Sequence, residues 1–223
     1  QAERGKSALC HGGLGSWWCF WCKWKRIMKF YQEITLIPQA DISPHAVWSK
    51  LYTQLHLAFV EQKDEQDKTI YGVSFPQYRT IADKKIAYLG CKLRVFAPTE
   101  QALSALNLDK QLEHLADYIH ISSIRSVPDD IKGYANYYRA IPKMTLDERI
   151  THQAKRHGVP YHKAAERFEN YKEQSLVYPH IQLTSKSNHR SYPLHIGKQA
   201  AEVLTDGRFG TYGLSRTSSV PEF

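Results

Sequence analysis

The sequence predicts an α+β protein whose N-terminal part is ferredoxin-like (βαββαβ) and whose C-terminal part is a smaller, basic α+β region. Three observations carry this. Alternating and four-residue apolar periods follow one another in the order strand, helix, strand, strand, helix, strand over residues 30–127. Helix-start signals, Ser43-Pro44 and Pro98-Thr99, open both helical stretches. Beyond residue 128 the cations gather in runs without acids.

The elements read in order as follows. Lys29 to Pro38 alternates and becomes β-branched, so it is a strand that Pro38 ends. Val47, Leu51, Leu55 and Phe59 recur every four residues, which predicts an amphipathic helix over 44–61 with that stripe inward. The charged stretch Glu61 to Lys68 is a loop, Thr69 to Phe75 a second strand stopped by Pro76, and Gln77 to about Lys85 a connection. Cys91 to Ala97 alternates strictly as a third strand. Leu103, Leu106, Leu112 and Leu115 mark the buried side of a second helical stretch with a break at Asn107, and Ile119 to Val127 is a fourth strand. An antiparallel sheet covered by two helices on one face satisfies this order.

Composition narrows the class of protein. The 223 residues are 42% hydrophobic and 23% charged, an ordinary globular balance. No run of about 18 apolar residues occurs, so no membrane-spanning helix is expected. The net charge of +8 points to an anionic partner. Residues 1–27, however, hold Cys10, Cys19, Cys22 and four of the five Trp, with five cations against Glu3 alone. Half of the net charge therefore sits in a prefix that precedes the first Met, Met28. We read 1–27 as a non-native or unstructured leader, 28–128 as the ferredoxin-like domain and 129–223 as the second half. Cys19 and Cys22 form a C-x-x-C that Cys10 and His11 could complete as a zinc set, but no surrounding pattern supports a fold there. The body has one cysteine, Cys91, so no disulfide scaffold is expected and a reducing cytoplasm is the default.

In the second half, Ile131 to Leu146 carries Lys132, Arg139 and Lys143, no acid, and the interleaved Tyr134, Tyr137 and Tyr138. Cations for phosphates and rings for bases suit single-stranded or loop RNA, and a basic arm is expected here. A loop whose tyrosines pack on the body fits the same composition. Residues 146–157 read as a helix stopped by Gly158, with Arg149, His152, Lys155 and Arg156 on one broad face suited to a phosphate backbone. Asp147 and Glu148 partly offset them. A second helix, Pro160 to Tyr171, is mixed in charge. Val177 to Thr184 and Ser191 to Ile196 read as strands of a hairpin with Ser185, Lys186 and Arg190 at its mouth, and Phe209 to Leu214 as a third strand.

Several stretches resemble the repeat-processing endoribonuclease family of type I-F (Ypest subtype) CRISPR systems. They are Leu55-His56, Gly72-Val73-Ser74-Phe75-Pro76, Tyr212-Gly213-Leu214-Ser215, and Val220-Pro221 followed by Phe223. Their order and spacing agree over 28–223. The resemblance implies a metal-independent enzyme without cofactor. It would cut CRISPR precursor RNA on the 3′ side of a repeat stem-loop and leave a 2′,3′-cyclic phosphate. It would keep the crRNA hairpin and join other subunits of the type I-F surveillance complex. By resemblance His56 is the catalytic histidine, Ser185 the active-site serine and Tyr212 an active-site tyrosine. From periodicity alone, His56 is a boundary residue on the Trp48 and Tyr52 stripe, Ser185 a turn serine and Tyr212 a strand aromatic. The resemblance also makes Arg139 the groove-reading arginine, with Ile141 where the family has glutamine. It sets Arg149, His152, Lys155 and Arg156 on the helix that holds the RNA and Tyr192 against the end of the stem, while Lys143, Lys186 and Arg190 are RNA-binding candidates from the acid-free runs themselves. Glu222 stands where an aromatic is usual. Two other functions fit the composition: a non-catalytic subunit that caps an RNA hairpin, and a protein-interaction module.

Overall fold

The computed structural model describes residues 28–81, 86–141, 144–169, 177–185, 190–205 and 207–223. The prefix 1–27 with its C-x-x-C, and the candidates Lys143 and Lys186, lie outside these residues.

Strand β1 (Phe30–Leu36) opens the fold. Its alternation sends Ile34 and Leu36 inward and leaves Tyr31 and Glu33 on the other face. Helix α1 (Pro44–Glu61) follows, with Ser43 Oγ accepting from the amide of Ala46 and Pro44 in the first turn. Val47, Leu51, Leu55 and Phe59 are all buried, as the four-residue period requires. Full burial contributes roughly 1.5–3 kcal/mol for each such side chain, so this stripe fixes the helix.

The expected second strand is divided. Lys68–Thr69 (β2) pairs with a segment about 140 residues away, while Gly72–Ser74 (β3) joins the main sheet. Local pattern cannot show such a distant partner. The expected connection after Pro76 contains a small hairpin, β4 (Arg79–Ile81) and β5 (Ile86–Tyr88). Strand β6 (Lys92–Ala97) then pairs with β1 over its length. The second helical stretch breaks at Asn107, which adopts φ +45°, into α2 (Glu100–Leu106) and α3 (Leu108–Gln111). Asn tolerates that left-handed geometry better than most residues.

The expected fourth strand is two pieces, β7 (Ile119–Ile121) and β8 (Arg125–Ser126), both antiparallel to β1. The register slips by one residue between Ile34↔Ile121 and Tyr31↔Arg125, so the segment bulges. Ser122 fills the gap, with its Oγ accepting from the amide of Glu33 and its amide donating to the Glu33 carbonyl. The sheet runs β3-β6-β1-β7, every pair antiparallel. Helix α2 packs on β1 and β6.

Residues 131–141, expected to include a basic arm, instead form β9 (Gly133–Ala140), an interior strand of a second sheet. Ala135 and Tyr137 face the core, and the Tyr137 hydroxyl reaches the Phe75 carbonyl at 3.2 Å. The segment lacks the β-branched residues that would have marked it. Helix α4 (Leu146–His157) is capped by a Thr145/Glu148 capping box and ends at Gly158, with φ +63°. Helix α5 (Tyr161–Ala165) passes into a 3₁₀ turn over Glu166–Phe168, and the last two residues of the expected helix lie outside the described residues. Strands β10 (His180–Thr184) and β11 (Ser191–Ala201) form the expected hairpin, β11 running five residues longer than its sequence pattern. Only Phe209–Gly210 of the last expected strand is extended (β12, paired with β2), and Val220–Glu222 (β13) adds to β9. The second sheet is ordered β10-β11-β9-β13 and packs through β10 on α1. One apolar cluster runs through both sheets, from Met28 to Val220. Among the described residues no helix is long and apolar enough to cross a membrane.

Candidate active site

The cleft that matters lies where α1 meets the second sheet. It encloses about 260 Å³ and is lined by Thr53, His56, Leu57, Leu183, Thr184, Ser185, Tyr192 and Tyr212. All three residues expected to carry the chemistry therefore line one cavity. A larger groove of about 600 Å³, walled by Leu36, Ile37, Trp48 and Tyr88 among others, is mostly apolar and contains none of them. The chemistry-bearing side chains decide which of the two is the candidate site.

His56 stands on the margin of the buried α1 stripe and is half-buried. Its Nδ1 lies 2.8 Å from the Thr211 carbonyl oxygen. A carbonyl can only accept, so Nδ1 carries the hydrogen and Nε2 of the neutral ring holds the lone pair. Burial pushes the imidazole pKa below its ordinary value, and the Thr211 carbonyl opposes this only in part. The ring is thus neutral near pH 7 and ready to accept a proton.

Tyr212 lies face to face with that ring, 4.0 Å between centroids and 9° between planes. Its backbone is held from below, because the Tyr52 hydroxyl, one helical turn before His56, donates to the Tyr212 carbonyl at 2.8 Å. Gly213 follows at φ +69°, and a Cβ there would come within 2.6 Å of Val73 Cγ1 and 2.9 Å of Phe59 Cε2. Only glycine fits both demands. The Val73 amide donates to the Gly213 carbonyl at 3.0 Å, and Gly72 lies under Phe209 and Val220. The scattered motifs Leu55-His56, Gly72-Val73, Tyr212-Gly213 and Val220-Pro221 thus meet at one wall. Together they build the turn that presents Tyr212 to His56.

The other side of the cleft comes from the β10–β11 hairpin. Ser185 follows β10, and its amide donates to the Arg190 carbonyl at 2.9 Å, closing the hairpin mouth. Tyr192 on β11 places its hydroxyl 2.7 Å from that of Tyr212. Burial first, then this hydroxyl contact, raises the Tyr212 pKa, so its phenol stays protonated at neutral pH. Sequence reading assigned Tyr192 to RNA and missed its bond to Tyr212, which no linear spacing reveals.

A sequence profile described as CRISPR-associated protein (Cas_Csy4) matches residues 31–223. The chain belongs to that family. Two curated relatives carry the name CRISPR-associated endonuclease Cas6/Csy4. The one from Escherichia coli (strain UTI89 / UPEC) is 28% identical over 199 residues, which is 88% of this chain and all of the relative. The one from Pseudomonas aeruginosa (strain UCBPP-PA14) is 29% identical over 197 residues, with the same shares covered. A solved structure described as "An RAMP protein binding different RNA substrates" aligns with 86% of this chain and 99% of its own, at 11% identity and a TM-score of 0.34. The resemblance read from the motifs and the profile match agree on the family.

The basic residues of this Cas_Csy4 family member fall into two groups. Lys198 pairs with Glu222 at 2.6 Å, and Glu222 also accepts from the buried Tyr137 hydroxyl at 2.9 Å. The penultimate glutamate thus has a structural task, and Lys198 of β11 has an acid beside it in space. Arg139, expected in a basic arm, is exposed on β9 with its guanidinium 6.0 Å from the Tyr192 ring centroid. That places it at the cleft. On α4, His152, Lys155 and Arg156 are exposed, and Arg149 Nε donates to the Met144 carbonyl at 3.2 Å. Ile150 is the buried residue of this helix and lies nearly opposite the cationic arc on a helical wheel. Asp147 is turned to the Tyr161 hydroxyl at 2.7 Å, which leaves the arc basic. Arg190 is exposed at the hairpin mouth.

Proposed function

We propose that this chain is a metal-independent endoribonuclease that cleaves CRISPR precursor RNA at the 3′ side of a repeat stem-loop and retains the crRNA hairpin. The observation that carries the proposal is the single cleft in which a neutral histidine, a stacked tyrosine and a serine converge. RNA brings its own nucleophile. His56 Nε2 takes the proton of the 2′-OH, the O2′–P bond forms, and the P–O5′ bond breaks. The products are a 2′,3′-cyclic phosphate and a 5′-hydroxyl, whose oxygen takes a proton as it leaves. The described lining of the cleft contains no carboxylate, so proton abstraction there falls to His56. Ser185 holds the ribose so that the 2′-OH lies in line with phosphorus, and Tyr212 fixes the imidazole plane.

The rest of the molecule supplies the grip. Residues 28–128 form the ferredoxin-like domain, and 129–223 carry the RNA surface. Tyr192 stacks on the end of the stem, Arg139 neutralises phosphate or reads guanine beside it, and the α4 arc with Lys143, Lys186 and Arg190 tracks the backbone. The products of such an enzyme guide a surveillance complex in the cytoplasm, with which the bound hairpin assembles.

The test is an incubation of the full chain with a cognate type I-F repeat hairpin in EDTA. Cleavage at the base of the stem is expected, with a cyclic phosphate on the upstream product. His56→Ala is expected to abolish cutting and to leave hairpin affinity largely unchanged. Tight binding without any cutting by the unaltered chain would instead make it a non-catalytic hairpin cap.

A further inference from the structure

The hydroxyl of Tyr192 is bonded to Tyr212, the residue that stacks on His56. A phenol that only offers its ring to a base needs no such bond. The Tyr192 ring packs at the margin of the core, and its strand continues into Leu194 and Ile196, both fully buried. Its hydroxyl is therefore a rigidly held point, 2.7 Å from the Tyr212 hydroxyl. Tyr212 is otherwise anchored through its backbone, by the Tyr52 hydroxyl and the turn at Gly213. Backbone anchors leave the side-chain torsion open, and a contact at the tip of the ring closes it.

We propose that Tyr192 is a positioning residue for cleavage: its hydroxyl locks the Tyr212 ring against His56, so that one side chain both meets the RNA and sets the geometry of the general base. The inference rests on reading the cleft as the cleavage site. Its physical content is short. The stack at 4.0 Å keeps one face of the imidazole away from water. If the Tyr212 ring swings, the imidazole gains hydration and its plane loosens. Two directional bonds in series, Tyr192 to Tyr212 and His56 to Thr211, define the stack from its two ends. Among the described residues, the titratable and charged groups about the imidazole are Tyr212 from the turn after β12, Tyr192 from β11, Tyr52 from α1, and Arg139 from β9 over the Tyr192 ring.

The substitution that isolates the hydroxyl is Tyr192→Phe, which keeps the ring. We expect about a 3- to 10-fold lower single-turnover rate with hairpin affinity within about twofold, the loss expected for one net hydrogen bond. Tyr192→Leu should weaken binding as well. The decisive comparison is a cycle with Tyr212→Phe. If Tyr192 acts through Tyr212, adding Tyr192→Phe to Tyr212→Phe costs nothing further. Multiplying losses would overturn the proposal, as would a Tyr192→Phe enzyme that cuts at the original rate. A second readout needs no activity. In the RNA-free protein, the His56 imidazole followed by NMR should titrate at a higher pH in Tyr192→Phe than in the unaltered chain, because burial holds it low. An unchanged titration would sink the positioning role. That measurement stays informative even if the chain proves unable to cut, an outcome that would refute the enzymatic reading by itself.

Discussion

Two clusters in this protein are built from the same parts, aromatic rings beside a cation at the edge of the core, and they do opposite things. The first surrounds Arg94. Its guanidinium lies 4.0 Å from the Phe223 ring centroid and 5.6 Å from that of Tyr31, while Tyr31 and Phe223 meet edge-on at 5.0 Å. Arg94 Nε donates to Glu33 at 2.8 Å, Arg94 Nη1 donates to the Phe223 carbonyl at 2.8 Å, and Lys92 holds the other Glu33 oxygen. The second comprises His56, Tyr212 and Tyr192, with Arg139 beside them. Its bonds are aimed at orientation, and its imidazole lone pair and paired phenols line a cavity of about 260 Å³. The first cluster spends its rings and charges on latching Phe223 onto the Tyr31–Glu33 face of the first sheet. Ring and charge content therefore do not mark a site; what the cluster leaves turned to a cavity does.

The largest effect that would sharpen this contrast is catalytic. His56→Ala should lower single-turnover cleavage by about 10²–10⁴, the usual contribution of a positioned acid-base group. Its thermal midpoint should barely change, since His56 is only half-buried. A large fall in stability would place His56 with the Arg94 kind of cluster. Next in size, Arg94→Ala should destabilise the fold by about 1.5–3 kcal/mol, because it strips one of two cations from the partly buried Glu33 and unpins Phe223. Denaturant unfolding measures this. The surviving folded enzyme should cut at its original rate, and a parallel loss of cleavage would show that the two clusters are coupled.

How much of this was legible beforehand follows from where each residue's constraint lies. Helix α1 was readable because its stripe repeats every four residues and its cap is local. So was β6, whose alternation is strict. Strand β9 was not, because it has no β-branched residue, its Gly, Ala and Asn offset its tyrosines, and its pairing partners lie more than 50 residues downstream. The split of 69–75 failed for the same reason, since Thr69 answers to Phe209. Within the candidate site, His56, Ser185 and Tyr212 came from motif resemblance, and the fold shows why those motifs keep company: the turn at Gly213 packs on Val73 and Phe59. The Tyr192–Tyr212 bond and the Lys198–Glu222 pair had no signature in the sequence, because each joins separate segments through side chains alone.

A middle-sized test concerns the grip. Lys155→Ala with Arg156→Ala should weaken hairpin binding at low salt. It should also make the slope of log affinity against log salt shallower by about one to two, since each phosphate contact releases close to one counterion. Single-turnover cleavage at saturating protein should be unchanged. A lower rate on the saturated hairpin would mean that α4 shapes the reacting end of the RNA as well as holding the stem.

The smallest effects are in pH, and here the two clusters titrate with separate consequences. Burial holds His56 below its ordinary value of 6.5. As a base it must be neutral, so the cleavage rate should stay level through that pH on acidification and fall only below it. Glu33 acts on stability. Its burial alone would raise its pKa, but the hydrogen bonds and charges of Lys92 and Arg94 outweigh burial and hold it under its ordinary 4.5. A depressed carboxylate stabilises the fold fully above its unfolded pKa, and that contribution is lost as pH falls from 4.5 through the lower folded value. Because Glu33 is partly exposed, the loss is modest. In Arg94→Ala the carboxylate loses its second cation while keeping its burial, so stability should depend less steeply on pH below 4.5. The pH at which cleavage declines should stay where it was. If Arg94→Ala moves that acid limb too, the imidazole senses the latch on the far sheet, and the separation between a packed cluster and a working one fails.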